Sequence, residues 1–150
     1  MKQYIVKVYD DRIEWYNQEG KLHREGDLPA IEYVNGYKAY YINGKLHRDG
    51  ELPAIEFADG SKEYWVGGKR HREGGLPAIE YASGTKEFWV NGQCHREGGL
   101  PAIEWSDGYK AYYVNGQRIT KEQAEQLAKP TCADKIVEID GRKYQLKELK

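Results

Sequence analysis

Short runs of apolar and polar residues follow one another along most of the chain, and glycines punctuate them. Ala30 to Tyr33 carries β-branched and aromatic residues beside a glutamate, and Lys38 to Ile42 is a second run of the same kind. Side chains alternate between the two faces of a strand, so these runs favour β-strands. Asn35-Gly36 lies between them. Asn-Gly is typical of a two-residue hairpin turn, and the pattern therefore predicts a β-hairpin.

The hairpin recurs with a period of 24 residues, in four units that cover 21–44, 45–68, 69–92 and 93–116 without insertion. Eleven of the 24 positions are identical in all four units, including the segment His-Arg-x-Gly-x-Leu-Pro-Ala-Ile-Glu. Each unit also ends in a second turn, Asn43-Gly44 in the first. A fixed period of this length predicts a repeat protein in which each unit packs on its neighbours.

A two-residue turn at Asn35-Gly36 would place Glu32 opposite Ala39 and Ile31 opposite Tyr40. In that register one face carries the residues expected to form the core, namely Ile31, Tyr33, Lys38, Tyr40 and Ile42. The other face carries Ala30, Glu32, Ala39 and Tyr41, and Arg48 follows on the same side. A slip of one residue would exchange the two faces.

The two ends lack the repeat signature and are expected to act as caps. Residues 1–20 contain one more hairpin, and 117–150 contain a helix followed by a final hairpin. Thr120 and Gln123 form the capping-box pattern of a helix start, and Pro130 is expected to end that helix. The sequence thus predicts one continuous all-β domain, an elongated, twisted antiparallel sheet with a short C-terminal helix and a final hairpin. An uncovered edge strand could pair two copies.

Composition and charge argue against several classes of protein. The 23 Lys and Arg balance 24 Asp and Glu, for a net charge of −1, which argues against a general nucleic-acid binder. No apolar run is long enough for a transmembrane helix, and Met1-Lys2-Gln3-Tyr4 begins no signal peptide. The expectation is a cytoplasmic protein that binds neither membrane nor nucleic acid. The two cysteines have no motif spacing; Cys94 is expected to be a surface substitution.

The repeat resembles a divergent branch of MORN-type repeats. The resemblance rests on the pattern Tyr-Tyr/Trp-Val-Asn-Gly-x-x-His-Arg-x-x-Gly-x-Leu-Pro-Ala-Ile-Glu and covers 21–116. It implies an elongated sheet of hairpins of the kind found in proteins of bacteriophages, large viruses and bacteria. It also implies a host-directed role, such as an anti-CRISPR-like inhibitor acting in the cytoplasm of the host cell.

Two groups of residues are candidates for chemistry: the histidines for a metal site, and pairs of glutamates for catalysis. The four histidines recur every 24 residues, about 10 Å apart if each repeat adds two strands, which is too far for one metal ion. Glu56 with Glu63, and Glu80 with Glu87, would face one another in the expected register. Opposed carboxylates could serve acid–base catalysis, but neutralisation by nearby arginines is the preferred interpretation. The expectation is no enzyme, no metal and no cofactor.

The favoured site is a binding surface along a stripe of aromatic residues, because aromatic residues and arginine dominate protein interfaces. Unit 45–68 carries a net charge of −2, which favours a protein partner with a basic surface. Masking of that partner is the expected function. The alternative is binding of a membrane lipid or small ligand through the same stripe. The partner-binding residues are Tyr41, Trp65, Trp89, Tyr113, Glu56, Glu63, Glu80, Glu87, Arg48, Arg72 and Arg96.

Overall fold

The computed structural model describes residues 3–129, 136–139 and 142–145. Within them, an open 11-stranded sheet runs through all four repeats, and every pair of neighbouring strands is antiparallel. The expected all-β sheet of hairpins is confirmed. In sheet order its strands are β1 (Ile5–Val8), β2 (Arg12–Tyr16), β3 (Ile31–Tyr33), β4 (Lys38–Ala39), β7 (Ile55–Glu56), β8 (Lys62–Glu63), β11 (Ile79–Glu80), β12 (Lys86–Glu87), β15 (Ile103–Glu104), β16 (Lys110–Val114) and β17 (Gln117–Ile119).

The remaining strands form four small hairpins beside or beyond the main sheet. After β4, for example, the chain passes through Tyr40 into a hairpin that leads to the next repeat. Successive hairpins are joined by backbone hydrogen bonds, in which Gly44 N–H donates to Leu22 O (2.8 Å) and Gly68 N–H donates to Leu46 O (2.9 Å). Their strands are β5 (Tyr41–Ile42), β6 (Lys45–Leu46), β9 (Trp65–Val66), β10 (Lys69–Arg70), β13 (Trp89–Val90), β14 (Gln93–Cys94), β18 (Ile136–Ile139) and β19 (Arg142–Gln145).

The second turn of each repeat has the geometry that the sequence predicts. Ile42 pairs with Lys45 and Tyr41 with Leu46. Asn43 has φ 48° and Gly44 has φ 79°. Positive φ at both central residues is the signature of a two-residue type I′ turn.

The first turn is one residue longer than predicted, and the predicted register is wrong. Glu32 pairs with Lys38. Gly36 N–H donates to Tyr33 O (3.0 Å), and Tyr33 N–H donates to Tyr37 O (2.9 Å). Gly36, with φ 94°, takes the left-handed conformation. This is a three-residue loop, a type I turn followed by a glycine bulge.

The extra residue turns the first strand over relative to the second strand, so the predicted faces are wrong. Glu32 and Lys38 lie on the same side as Tyr40, whereas Ile31 and Tyr33 lie on the opposite side. The side that carries the buried rings Tyr40, Tyr64 and Phe88 is called here the loop face. The opposite side is called the aromatic face.

The His-Arg-x-Gly-x-Leu-Pro segments fold over the loop face and bury its rings, while Ile55 and Ile79 are buried on the aromatic face. Arg48 stacks on Tyr40, with the guanidinium carbon 3.7 Å from the ring centroid, and Arg48 Nη1 donates to Pro53 O at 3.1 Å. Tyr40 is therefore only 6% exposed, and Ala30 and Ala54 beside it are fully buried. The same stack recurs as Arg24 on Trp15, Arg72 on Tyr64 and Arg96 on Phe88.

A helix ends the array. α1 (Lys121–Ala128) begins at the predicted capping box: Gln123 N–H donates to Thr120 Oγ1 (3.2 Å), and Thr120 N–H donates to Gln123 Oε1 (2.9 Å). It packs against the loop of the fourth repeat at Gly99. The predicted helix end at Pro130 lies outside the described residues. Over the part of the chain that the structure describes, no helix is long and apolar enough to cross a membrane.

Candidate protein-binding surface

Two tryptophans on the aromatic face are held at their polar edges by carboxylates. Trp65 Nε1 donates to Glu63 Oε2 at 2.8 Å, and Trp89 Nε1 donates to Glu87 Oε2 at 2.9 Å. Each tryptophan lies two residues after its glutamate, so strand alternation places both side chains on one face. Both indoles are half-buried. The hydrogen bonds fix the rings in one orientation while part of each remains exposed.

Arg70 lies between the two indoles. Its guanidinium carbon is 5.0 Å from the Trp65 ring and 5.3 Å from the Trp89 ring. Its Nε also donates to Glu63 Oε2 at 3.3 Å. These contacts form the central cluster, defined as Glu63, Trp65, Arg70, Glu87 and Trp89.

A second row of aromatic residues lies nearer the three-residue turns. Tyr33 meets Tyr37 edge-on at 5.5 Å, and Tyr37 meets Phe57 in the same manner at 5.5 Å. Further along the sheet this row is open to solvent: Tyr81 is 41%, Trp105 37% and Tyr109 59% exposed.

Sequence reasoning missed this second row, because the assumed register assigned Tyr33 and its equivalents to the core. The signal was present: the position is aromatic in every repeat, as Tyr33, Phe57, Tyr81 and Trp105. The correct turn length would have placed those rings beside the predicted stripe.

The structure divides the predicted site between the two faces. Tyr41, Trp65, Trp89 and Tyr113 lie on the aromatic face with Glu63 and Glu87, as the strand pairing and the indole contacts place them. Arg48, Arg72, Arg96, Glu56 and Glu80 lie on the loop face instead. There Arg48 Nη1 donates to Glu56 Oε1 at 2.8 Å, and the Arg48 side chain is only 11% exposed. Arg72 pairs with Glu80, and Arg96 with Glu104, in the same way.

The predicted opposition of carboxylates is also wrong. Glu56 faces Lys62, and Glu80 faces Lys86. Each glutamate therefore meets a cation across the strand pair, which is favourable where two like charges would repel. The row continues between repeats, because Glu80 also pairs with Lys62.

The histidines act within the hairpin ladder. His47 Nδ1 accepts the Gly67 N–H at 3.2 Å, and His47 Nε2 lies 3.0 Å from Asp49 Oδ1. A nitrogen that accepts an N–H carries no proton, so Nε2 holds the proton and donates it to the carboxylate. Across the described residues no three His, Cys, Asp or Glu side chains come close enough to hold a metal ion.

Glu14 and Cys94 are among the titratable groups of the aromatic face whose pKa values are shifted. Burial raises the pKa of Glu14, but hydrogen bonds from Arg12 Nε (2.7 Å) and from the Tyr16 hydroxyl outweigh it, and the net shift is downward. Cys94 occupies the position that Arg70 has one repeat earlier, and it is buried rather than on the surface as predicted. Burial, with a smaller contribution from Glu87, raises the Cys94 pKa to about 11.

Comparisons with known proteins add no relative: no family model, curated protein or solved structure matches this chain.

Proposed function

We propose that the chain is a non-catalytic interaction protein that masks a surface of a partner protein through its aromatic face. The observation that carries the proposal is the contrast between the two faces. The rings of the loop face are sealed by the chain's own loops, with Tyr64 only 6% exposed, whereas Tyr109 on the aromatic face is 59% exposed.

The central cluster supports a protein partner. Tryptophan, tyrosine and arginine are the residues that most often supply binding energy in protein interfaces. Hydrogen bonds from the indoles of Trp65 and Trp89 already restrict their rotamers. A partner would then lose less conformational entropy in ordering them. A broad sheet face with several half-exposed rings suits a protein surface.

The charge of the cluster favours a basic partner. Glu63 and Glu87 contribute two carboxylates, and Arg70 contributes one cation that already pairs with Glu63. The surplus is negative, so a partner carrying Lys or Arg would gain charge complementarity. The MORN-like identity, the phage origin and the anti-CRISPR-like inhibition that the resemblance implies stay predictions.

The test is capture of the partner by tagged protein from nuclease-treated bacterial lysate, read by mass spectrometry. Wild type is compared with Trp65→Ala/Trp89→Ala and with Val34→Ser. Val34 is a matched control because it is apolar and 81% exposed and lies in a turn away from the central cluster. Circular dichroism confirms that each variant is folded.

The expected result is one stoichiometric protein that wild type and Val34→Ser retain and the double tryptophan variant loses. Equal retention by all three folded proteins would contradict the proposal. Liposome co-sedimentation separates the lipid alternative: vesicle binding that depends on the tryptophans, with no captured protein, would replace masking with lipid binding.

A further inference from the structure

Shallow pockets recur along the loop face, one at each junction between successive repeats. Each lies between a loop leucine and the Ile or Val of the following hairpin. In chain order their volumes are about 280, 370 and 400 Å³. The apolar pairs are Leu28 with Ile42, Leu52 with Val66 and Leu76 with Val90.

The leucines of these pockets are open to solvent. Leu28 is 47%, Leu52 42% and Leu76 45% exposed. Single exposed apolar residues are ordinary on a protein surface, but a continuous row of them indicates a binding site. Here the row repeats with the period of the chain, so the loop face carries the same apolar pocket several times.

The rim of the pockets is negative. The Asp49 side chain is 94% exposed and that of Glu73 is 77% exposed. The arginines of the same pockets turn inward: the Arg48 and Arg72 side chains are 11% and 16% exposed and pair with glutamates. The charge offered to a ligand is therefore acidic.

The spacing of the pockets matches an extended polypeptide. Each repeat adds two strands to the sheet, so equivalent pockets are separated by about 9.5 Å. Three residues of a polyproline II helix cover about 9.3 Å and complete one turn, so every third side chain lies on the same side and would meet the next pocket. A β-strand does not fit, because its side chains alternate between two faces.

We propose that the loop face binds a segment of a partner protein in the polyproline II conformation, with an apolar side chain at every third position and Lys or Arg between them. Tyr40 and Tyr64 offer no stacking platform for a sugar or a base, because guanidinium groups cover their rings at 3.7 and 3.6 Å. Leucine and valine side chains instead suit an aliphatic anchor. The pockets open on the loop face, and Trp65 and Trp89 border two of them.

The test uses fluorescein-labelled peptides and fluorescence anisotropy with the full-length chain in about 0.15 M salt. One peptide has four Leu-Lys-Lys triplets and one has two. A third has the composition of the longer peptide with its leucines contiguous. The protein variants are Leu52→Ser/Leu76→Ser for the pockets, Asp49→Asn/Glu73→Gln for the rim and Val34→Ser as control.

The four-triplet peptide is expected to bind about tenfold more tightly than either other peptide, because successive anchors bind as linked sites. Leu52→Ser/Leu76→Ser removes two leucine contacts that the bound peptide would bury, so it should weaken the affinity for this peptide by about tenfold or more. The rim variant, Asp49→Asn/Glu73→Gln, should weaken the affinity as well, and Val34→Ser should not.

Absence of binding, or equal affinity for the triplet and contiguous peptides, would overturn the proposal. So would unchanged affinity of a folded Leu52→Ser/Leu76→Ser or Asp49→Asn/Glu73→Gln protein. Because Leu52→Ser/Leu76→Ser changes no residue of the aromatic face, it should leave capture of the masked partner unchanged, and the two proposals can fail separately.

Discussion

Asp27 in the first repeat binds Arg48 in the second through both carboxylate oxygens, with Nε 2.6 Å from Oδ1 and Nη2 3.1 Å from Oδ2. The equivalent pair is missing one repeat later. Arg72 Nε is buried with no hydrogen-bond partner among the described residues, and Glu51 stands where Asp27 stands in the first repeat. Glu51 also has a left-handed backbone, with φ 58°.

Glu51→Asp is therefore expected to stabilise the protein. A shorter carboxylate could bind Arg72 as Asp27 binds Arg48, and Asp tolerates the left-handed region better than Glu. The free energy of unfolding should rise by about 0.5–1.5 kcal/mol in urea denaturation. Asp27→Ala is the matched control and should lower it by about 1–3 kcal/mol, because it leaves Arg48 Nε unpaired. No gain for Glu51→Asp would refute this account of the loop contact.

Gly99→Ala should destabilise the chain more than Gly75→Ala. The two glycines are equivalent, with φ 68° and 67°, so the backbone strain is the same. A Cβ at Gly75 would meet nothing within 4 Å, but one at Gly99 would overlap the Ala124 carbonyl oxygen and stand 2.6 Å from Ala128 Cβ. The difference between the variants should be about 1–3 kcal/mol. Hydrogen exchange should show faster exchange in α1 for Gly99→Ala alone. Identical behaviour would mean that α1 does not pack on this loop.

Glu14 should make stability fall in acid. Its pKa is lower in the folded chain than the ordinary value of 4.5. Its contribution is thus fully present above about pH 5 and is lost as the pH falls through the folded pKa. Glu14→Gln should be less stable than wild type at pH 7, and the gap should shrink by pH 3. A gap that stays constant between these two pH values in urea titrations would contradict the ion pair with Arg12.

Cys94 should be unreactive in the native state. Burial raises its pKa to about 11, about two units above the ordinary value, so the thiolate at pH 8 is about 100-fold scarcer than for an exposed cysteine. A Cys132→Ser background isolates this thiol. Ellman's reagent should label it slowly in buffer and rapidly in urea, whereas rapid labelling without denaturant would place Cys94 on the surface.

The sequence predicts the repeat, the second turn and the start of α1, because each depends on local signals. The predicted single strand over Lys38 to Ile42 is wrong: it divides at Tyr40 into β4 and β5, which belong to different sheets. The prediction also fails at the first turn. Asn-Gly occurs in two-residue turns and also in three-residue loops with a glycine bulge. In the structure the Asn35 Oδ1 accepts the Tyr37 N–H at 2.9 Å, which accompanies the longer loop. One residue of difference turned the first strand over, and Glu56 and Glu80 of the predicted site moved to the loop face with it.

The cover over the loop face could not be predicted from the same signals. Arg48 stacks on a ring eight residues earlier and binds a carboxylate 21 residues earlier. Neither contact follows from strand alternation. The sequence identifies an invariant arginine but does not indicate that it faces inward, and for that reason it was assigned to an interface.

Hydroxyl-radical footprinting of the free chain, read residue by residue by mass spectrometry, is the most direct test of the central claim. That claim is that rings of the aromatic face are open to solvent and those of the loop face are sealed. Tyr81, Trp105 and Tyr109 should oxidise quickly, and Tyr40, Tyr64 and Phe88 should oxidise only after unfolding. With a captured partner, protection should appear on the first set. Rapid oxidation of Tyr40, Tyr64 and Phe88 in the native chain, with Tyr81, Trp105 and Tyr109 protected, would contradict the face assignment and the binding surface with it.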